Sequence, residues 1–213
     1  MTWLVRALAL VVLLPLVLAG PTRAWAGAPT DQLRAQIDRA VKILDDSELK
    51  KDGRQRDRRT AVRQVANDIF DFSETAKRSL ARHWSPRTQG ERDEFVALFT
   101  DLLERSYIGK IELYGGEKIH FVGEAVEGEG AVVRTKLVTK QGTEIPIDYR
   151  MLKRGDKWLV YDVVIEGVSL ISNYRTQFNK IITTSSFQDL LKKMKTKQDE
   201  FISEEKPKRT SQK

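Results

Sequence analysis

A strand that runs through a glycine corner straight into a helix is written across Trp158 to Phe178. Trp158, Val160, Asp162 and Val164 fall on one side of a period of two. Leu159, Tyr161, Val163 and Ile165 fall on the other. Gly167 marks the turn, and Ser169 is placed to cap the helix after it. Leu170, Tyr174, Phe178 and Ile181 then recur at spacings of four, four and three, one face of a helix. An apolar strand therefore feeds an amphipathic helix at a fixed corner.

The rest of the chain supplies partners for that unit. Thr30 caps a helix in which Leu33, Ile37, Val41 and Leu44 share a face. A charged break over 50–59 precedes a second helix predicted over 58–70, with Val62, Val65, Ile69 and Phe70 inward. A short third helix is expected over 73–84, ended by Pro86. Thr88 with Glu91 reads as a capping box for a longer helix. Its apolar face runs from Phe95 through Leu98, Phe99, Leu102, Leu103 and Tyr107 to Ile111. Gly115-Gly116 breaks that pattern, and the period changes to two. Strands are predicted over 118–122, 131–139, 144–153 and 157–165, joined by tight turns at Gln141-Gly142 and Arg154-Gly155-Asp156. Short turns between consecutive strands make the sheet antiparallel. Helices from Ser169 and Ser186 close the chain, so the fold class is α+β: a four-stranded antiparallel sheet with N- and C-terminal helices.

The N-terminus has the form of an export signal. Arg6 precedes a 13-residue apolar stretch, Ala7 to Ala19, and Ala24-Trp25-Ala26 fits a small-x-small cleavage site. The expected division is a cleaved signal over 1–26, one folded domain over 27–195 and a basic, flexible tail over 196–213. Export implies an oxidising compartment, yet the chain has no cysteine, so packing alone must hold the core. The net charge of +7 is uneven. Arg6 and Arg23 sit in the signal, and 192–213 holds eight basic and four acidic residues, leaving +1 on 27–191. A nearly neutral body is no nucleic-acid platform. The basic end could touch anionic lipid head groups transiently, or simply be solvated.

Catalytic groupings do not assemble. His83 and His120 fall on separate elements, and neither has a metal-ligand spacing to another donor, so no metal and no cofactor is expected. Gly167-Val168-Ser169-Leu170-Ile171 lacks the second glycine of a nucleophile elbow. Asp162 and Glu166, four apart, read as strand residues sharing a face; a structural role suits them better than acid–base work. No catalytic residue and no enzyme activity is expected.

Several blocks in order carry a resemblance. They are Ile69-Phe70-Asp71-Phe72, Leu80-Ala81-Arg82-His83-Trp84, Thr88 with Glu91, Arg92, Phe95 and Phe99, then Tyr107 and Tyr114, Ile147-Asp148-Tyr149-Arg150, and the Trp158 run. Together, over roughly residues 30–195, they resemble the MlaC or toluene-tolerance family of periplasmic phospholipid-binding proteins. Ala81 departs from it, since the family is expected to prefer Gly there. So does the long basic end after Met194.

Periodicity alone reads the apolar positions as an ordinary core. The resemblance implies instead a curved sheet of the nuclear-transport-factor-2-like kind, helices over one face and an apolar pocket between. It places acyl tails against Phe99, Leu102, Tyr107, Ile145, Ile147, Tyr149, Met151, Val160, Val164, Leu170, Tyr174 and Phe178. Arg175, which follows the Gly167 corner, is the candidate cation for a phosphate head group or else a surface residue paired with a carboxylate. It implies a monomeric carrier of diacyl phospholipid. Its partners would be an inner-membrane ABC transporter complex and an outer-membrane lipoprotein/porin complex, and its task the maintenance of outer-membrane lipid asymmetry. A carrier of another lipid, such as a hopanoid, and a secreted ester hydrolase are the competing functions.

Overall fold

The computed structural model describes residues 28–205, with side chains through 201. The expected signal, 1–26, and the last eight residues of the expected tail lie outside the described residues. Helix α1 (Ala28–Asp45) leads into α2 (Gln55–Ile69) and α3 (Phe72–Leu80). A single 3-10 turn at Ala81–His83 separates α3 from the long α4 (Gln89–Glu112). Four strands come next: β1 (Lys118–Glu127), β2 (Gly130–Val138), β3 (Glu144–Arg154) and β4 (Lys157–Ile165). A two-residue β5 (Val168–Ser169) leads into α5 (Leu170–Thr184) and α6 (Phe187–Glu205).

The sheet is antiparallel in the order β1-β2-β3-β4-β5. It has five strands rather than four, because the chain returns along β4 for two residues before it turns helical. The first strand is also twice as long as its apolar start indicates; Gly123 and the acidic residues after it do not end it. At the other end, α6 continues ten residues past the expected boundary at 195.

Local chemistry accounts for the starts of α3, α4 and α5. The Thr88 side chain accepts from the Glu91 amide, and the Glu91 carboxylate accepts from the Thr88 amide, closing the capping box of α4. Asp71 caps α3 and Ser169 caps α5 in one direction only, each side chain accepting from the amide three residues on, that of Glu74 and that of Ser172. The α1 N-terminus is held from a distance: Glu124 of β1 accepts from the Thr30 amide at 2.8 Å and the Thr30 hydroxyl at 2.6 Å.

Two apolar cores result. The helical core joins α3 to α6 and is stacked from aromatic rings. Phe95 and Phe99 stack at 5.6 Å between centroids, and Phe178 meets Phe99 edge-on at 5.1 Å. The sheet core packs Leu33 of α1 onto Ala131, Val133, Met151, Trp158 and Val160, with Ile69 and Phe70 of α2's end beside them. Between the two, Phe70 bridges to Val160 across the open edge of β4, and the Asp71 amide donates to the Val160 carbonyl at 2.9 Å.

Candidate functional site

Strand register shows what each face of the sheet carries. Met151 pairs with Val160, but Arg150 pairs with Asp162, so β4 holds one extra residue at Tyr161. Such a bulge reverses the alternation beyond it. Trp158 and Val160 point to the inner face with Val163 and Ile165, whereas Asp162 and Val164 turn to the outer one. The expectation that Val164 shares the face of Val160 is therefore corrected. Burial still alternates along β4, because both faces are covered, by α1 and α2 before the bulge and by the start of α5 after it. A second bulge at Val122 puts Glu124 and Val126 on the inner face with Ile119 and Phe121.

The inner face is thus a four-strand apolar surface. Val133, Tyr149 and Val163 form one cross-strand row, and Thr135, Ile147 and Ile165 the next. Its cover is graded. Val160 is 0% and Met151 1% exposed beneath α1, while Ile145, Ile147, Tyr149 and Val163 are half-buried and Ile165 is 42% exposed. One end of the face is sealed and the other is left partly open. Thr135 is buried, with its hydroxyl donated to the Ile147 carbonyl at 3.0 Å. Burial pushes the Tyr149 phenol up to about 12, the Thr135 hydroxyl offsetting this in part, so the ring is a neutral wall at any ordinary pH.

The expected site residues divide between the two cores. Met151, Val160 and Tyr149 lie with Ile145 and Ile147 on the inner sheet face. Phe99 and Phe178 are fully buried in the helical core, and Leu102, Tyr107, Leu170 and Tyr174 lie half-buried at its margin. Tyr107 and Tyr174 meet there; burial raises the Tyr107 phenol, and the Tyr174 hydroxyl adds to it. Arg175 is exposed, and its Nε donates to the Arg78 carbonyl at 3.1 Å, tying α5 to α3. Val163 and Ile165 belong to the open face, although simple alternation puts them on the opposite one. The only signal for them is the register change, which periodicity within one strand does not contain.

Two concavities stand out, and neither coincides with the expected set. One, of about 380 Å³, lies between α1 and the ends of α2, β3 and β4, lined by Gln32, Leu33, Ile69, Met151 and Trp158. The other, about 510 Å³, is a polar depression along α6 at Asp189, Lys192, Lys193 and Lys197.

Polar groups around the corner are structural. Asp162, 2% exposed, accepts from Ser169 Oγ at 2.7 Å, the Ile171 amide at 3.0 Å and Arg150 Nη1 at 3.0 Å. Glu166 lies beyond the strand, in the β4–β5 turn at φ 49°, and makes no pair with Asp162. His83 contacts Asn179 at 3.0 Å, and His120 is exposed on β1. Among the described residues no group of three or more His, Cys, Asp or Glu could hold a metal ion, and no helix is long and apolar enough to cross a membrane.

The family model described as MlaC protein matches residues 34–196. The chain belongs to the MlaC family. Among curated MlaC proteins, the intermembrane phospholipid transport system binding protein of Haemophilus influenzae is 23% identical over 141 residues. That match spans 64% of this chain and 66% of the relative. The fold is shared with a solved structure, a phospholipid-binding protein from Ralstonia solanacearum in complex with a phospholipid, at a TM-score of 0.70 and 24% identity. It covers 79% of this chain and 95% of that one. The MlaC match includes both cores apart from Leu33, both bulges and most of α6. Ala81 falls inside it, at the junction where α3 ends.

Proposed function

We propose that this chain is a periplasmic carrier of phospholipid that shields acyl chains between its two cores and hands them from one membrane complex to another. The observation that carries the proposal is the apolar inner face of the sheet, sealed under α1 at one end and left half-covered at the other. Singly exposed apolar residues are normal on a protein, but here Ile145, Ile147, Tyr149, Val163 and Ile165 are incompletely covered side by side on one face, the arrangement that marks binding surfaces. MlaC membership, the Haemophilus relative's name and the lipid held by the Ralstonia protein support the same ligand class.

The energetics require a protein of this kind. Two tails of about 15 carbons, at roughly 0.8 kcal/mol per buried CH₂, give on the order of 20 kcal/mol of gross driving force for leaving water. Release into water is correspondingly slow, so transfer takes place against a membrane or a partner. The residues available to tails are the half-buried ones on the margins of both cores. On the sheet these are Ile145, Ile147, Tyr149 and Val163; on the helices they are Leu102, Tyr107, Leu170 and Tyr174. Phe99, Phe178, Met151 and Val160 serve as packing beneath them, and Val164, on the outer face, is outside the site. The head group then stays at the open end of the sheet, with Arg175 outside the site because its guanidinium is tied to α3.

The cargo passes between an inner-membrane ABC transporter complex and an outer-membrane lipoprotein/porin complex, in the service of outer-membrane lipid asymmetry. The chemistry is binding without bond cleavage. Ser169 supports this, since its hydroxyl donates to Asp162 and caps α5 rather than facing an imidazole.

Gentle purification, solvent extraction and lipid mass spectrometry test the reading. Phospholipid is expected, whereas a hopanoid or another polycyclic lipid would move the protein to the alternative cargo. Ile147→Trp and Tyr107→Trp should fold normally yet carry at most about a tenth of the lipid, as expected of overpacked walls. Full occupancy in both folded variants would place the lipid elsewhere.

A further inference from the structure

The helical core and the sheet core share no residue, and three ion pairs run between α2 and α4. Arg59 of α2 grips Glu112 of α4 with Nε at 3.1 Å and Nη2 at 3.1 Å, and Arg58 Nη2 reaches the same carboxylate at 3.5 Å. About one turn further along α2, Arg63 Nε lies 2.7 Å from Glu104. Both carboxylates are held within the seam, 11% and 12% exposed, while Arg59 and Arg63 remain open to solvent on their outer sides.

A seam of this composition behaves unlike an apolar one. Separating apolar faces exposes greasy surface to water, a cost that grows with area. Separating paired charges returns each to water, and hydration offsets most of the lost attraction. The α2–α4 line can therefore part by exchanging ion pairs for hydration, while α3 and α5 stay bonded to β4 through the Thr75 hydroxyl on the Tyr161 carbonyl and through Asp162 on Ser169 and Ile171. Leu102 and Tyr107 of the proposed lipid site are carried on α4 beside Glu104 and Glu112.

Resting on the carrier reading, we propose that the α2–α4 ion-pair seam is the gate through which phospholipid enters and leaves. When closed, Glu104 and Glu112 hold α2 against α4. When open, Arg58 and Arg59 are released at the mouth, where a lipid phosphate can replace the Glu112 carboxylate on their forked guanidinium groups.

The test is transfer kinetics. The chain is loaded with a phospholipid bearing a pyrene-labelled acyl tail and mixed with unlabelled phosphatidylcholine vesicles. Glu112→Gln keeps the shape of the side chain and removes its charge. It should transfer lipid roughly three- to tenfold faster than the natural sequence, as expected for loss of a partly buried pair. Transfer from the natural sequence should also quicken as NaCl rises from about 50 to about 500 mM, because salt screens the exposed side of the seam. Glu112→Gln should lose part of that dependence. The salt series needs no variant, so the gate remains falsifiable even if Glu112→Gln does not fold. Bound lipid whose transfer ignores salt, or a folded Glu112→Gln that transfers at the natural rate, overturns the gate alone. A natural sequence that takes up no lipid overturns the carrier reading and the gate with it.

Discussion

Ala81 ends α3 with φ 48° and ψ −119°, a backbone conformation that L side chains rarely adopt. The strain persists because Leu80 on one side is fully buried and the Trp84 amide closes onto the Ala81 carbonyl on the other. Glycine adopts this conformation without steric cost. Ala81→Gly is therefore expected to stabilise the protein by about 1 kcal/mol, although glycine also loses more freedom on folding. A urea midpoint that rises with an unchanged m-value would establish this, and a falling midpoint would show that the strain is absorbed elsewhere. In the sequence the residue is conspicuous only through the family resemblance. Nothing in an alanine signals a positive φ, because the conformation is imposed by the elements on either side.

At the scale of elements, β4 and α5 are joined by one buried carboxylate. Asp162 is the second residue after Val160, and the bulge at Tyr161 turns it to the outer face, where it meets Ser169, the Ile171 amide and Arg150. Three partners satisfy a group that burial would otherwise penalise heavily. Asp162→Ala removes all three bonds and strands the Ile171 amide, and is expected to lower stability by about 2–4 kcal/mol. Denaturant unfolding measures it; a loss below about 1 kcal/mol would mean that the corner is held by packing instead. Alternation along Trp158 to Val164 correctly indicates that every second residue is buried. It misplaces the face for half of them, since one inserted residue reverses the sides without altering the apparent period.

For the whole molecule, the division into two cores sets what the lipid contributes. In the proposed carrier, a ligand that binds only the folded state and sits between the sheet core and the helical core adds to the links already made by Phe70, by Asp71, by Thr75 on the Tyr161 carbonyl, by Asp162 on Ser169 and Ile171, and by the ionic seam. Stripping the lipid should lower the melting temperature, and adding phospholipid back should restore it in proportion to the logarithm of its concentration. At a hundredfold excess over Kd the gain is about 2.7 kcal/mol. Scanning calorimetry of extracted and reloaded protein checks this, and an unchanged melting temperature with lipid bound would mean that the ligand spans no such division. The basic end belongs to this scale too. Its first part is a regular helix through Glu205, so Lys192, Lys193 and Lys197 are held on a defined surface.

Most helix caps, the strand order and the turn positions come from the chain itself, because each rests on contacts between residues a few positions apart: Thr88 with Glu91, Ser169 with Ser172, Gln141-Gly142 between two strands. The expected Thr30 cap does not, since α1 starts at Ala28 and Thr30 is bonded to the distant Glu124. Apolar periodicity likewise marks the residues that are buried, since burial within one element repeats with that element's own geometry. The tertiary structure alone decided which core each of them joins. Leu170 and Ile147 look alike in sequence, yet one lies at the margin of the helical core and the other on the inner sheet face. It also decided that Arg58, Arg59 and Arg63 meet Glu104 and Glu112, far along the chain, because the pairing of distant charges depends on how the elements dock and leaves no mark on local pattern.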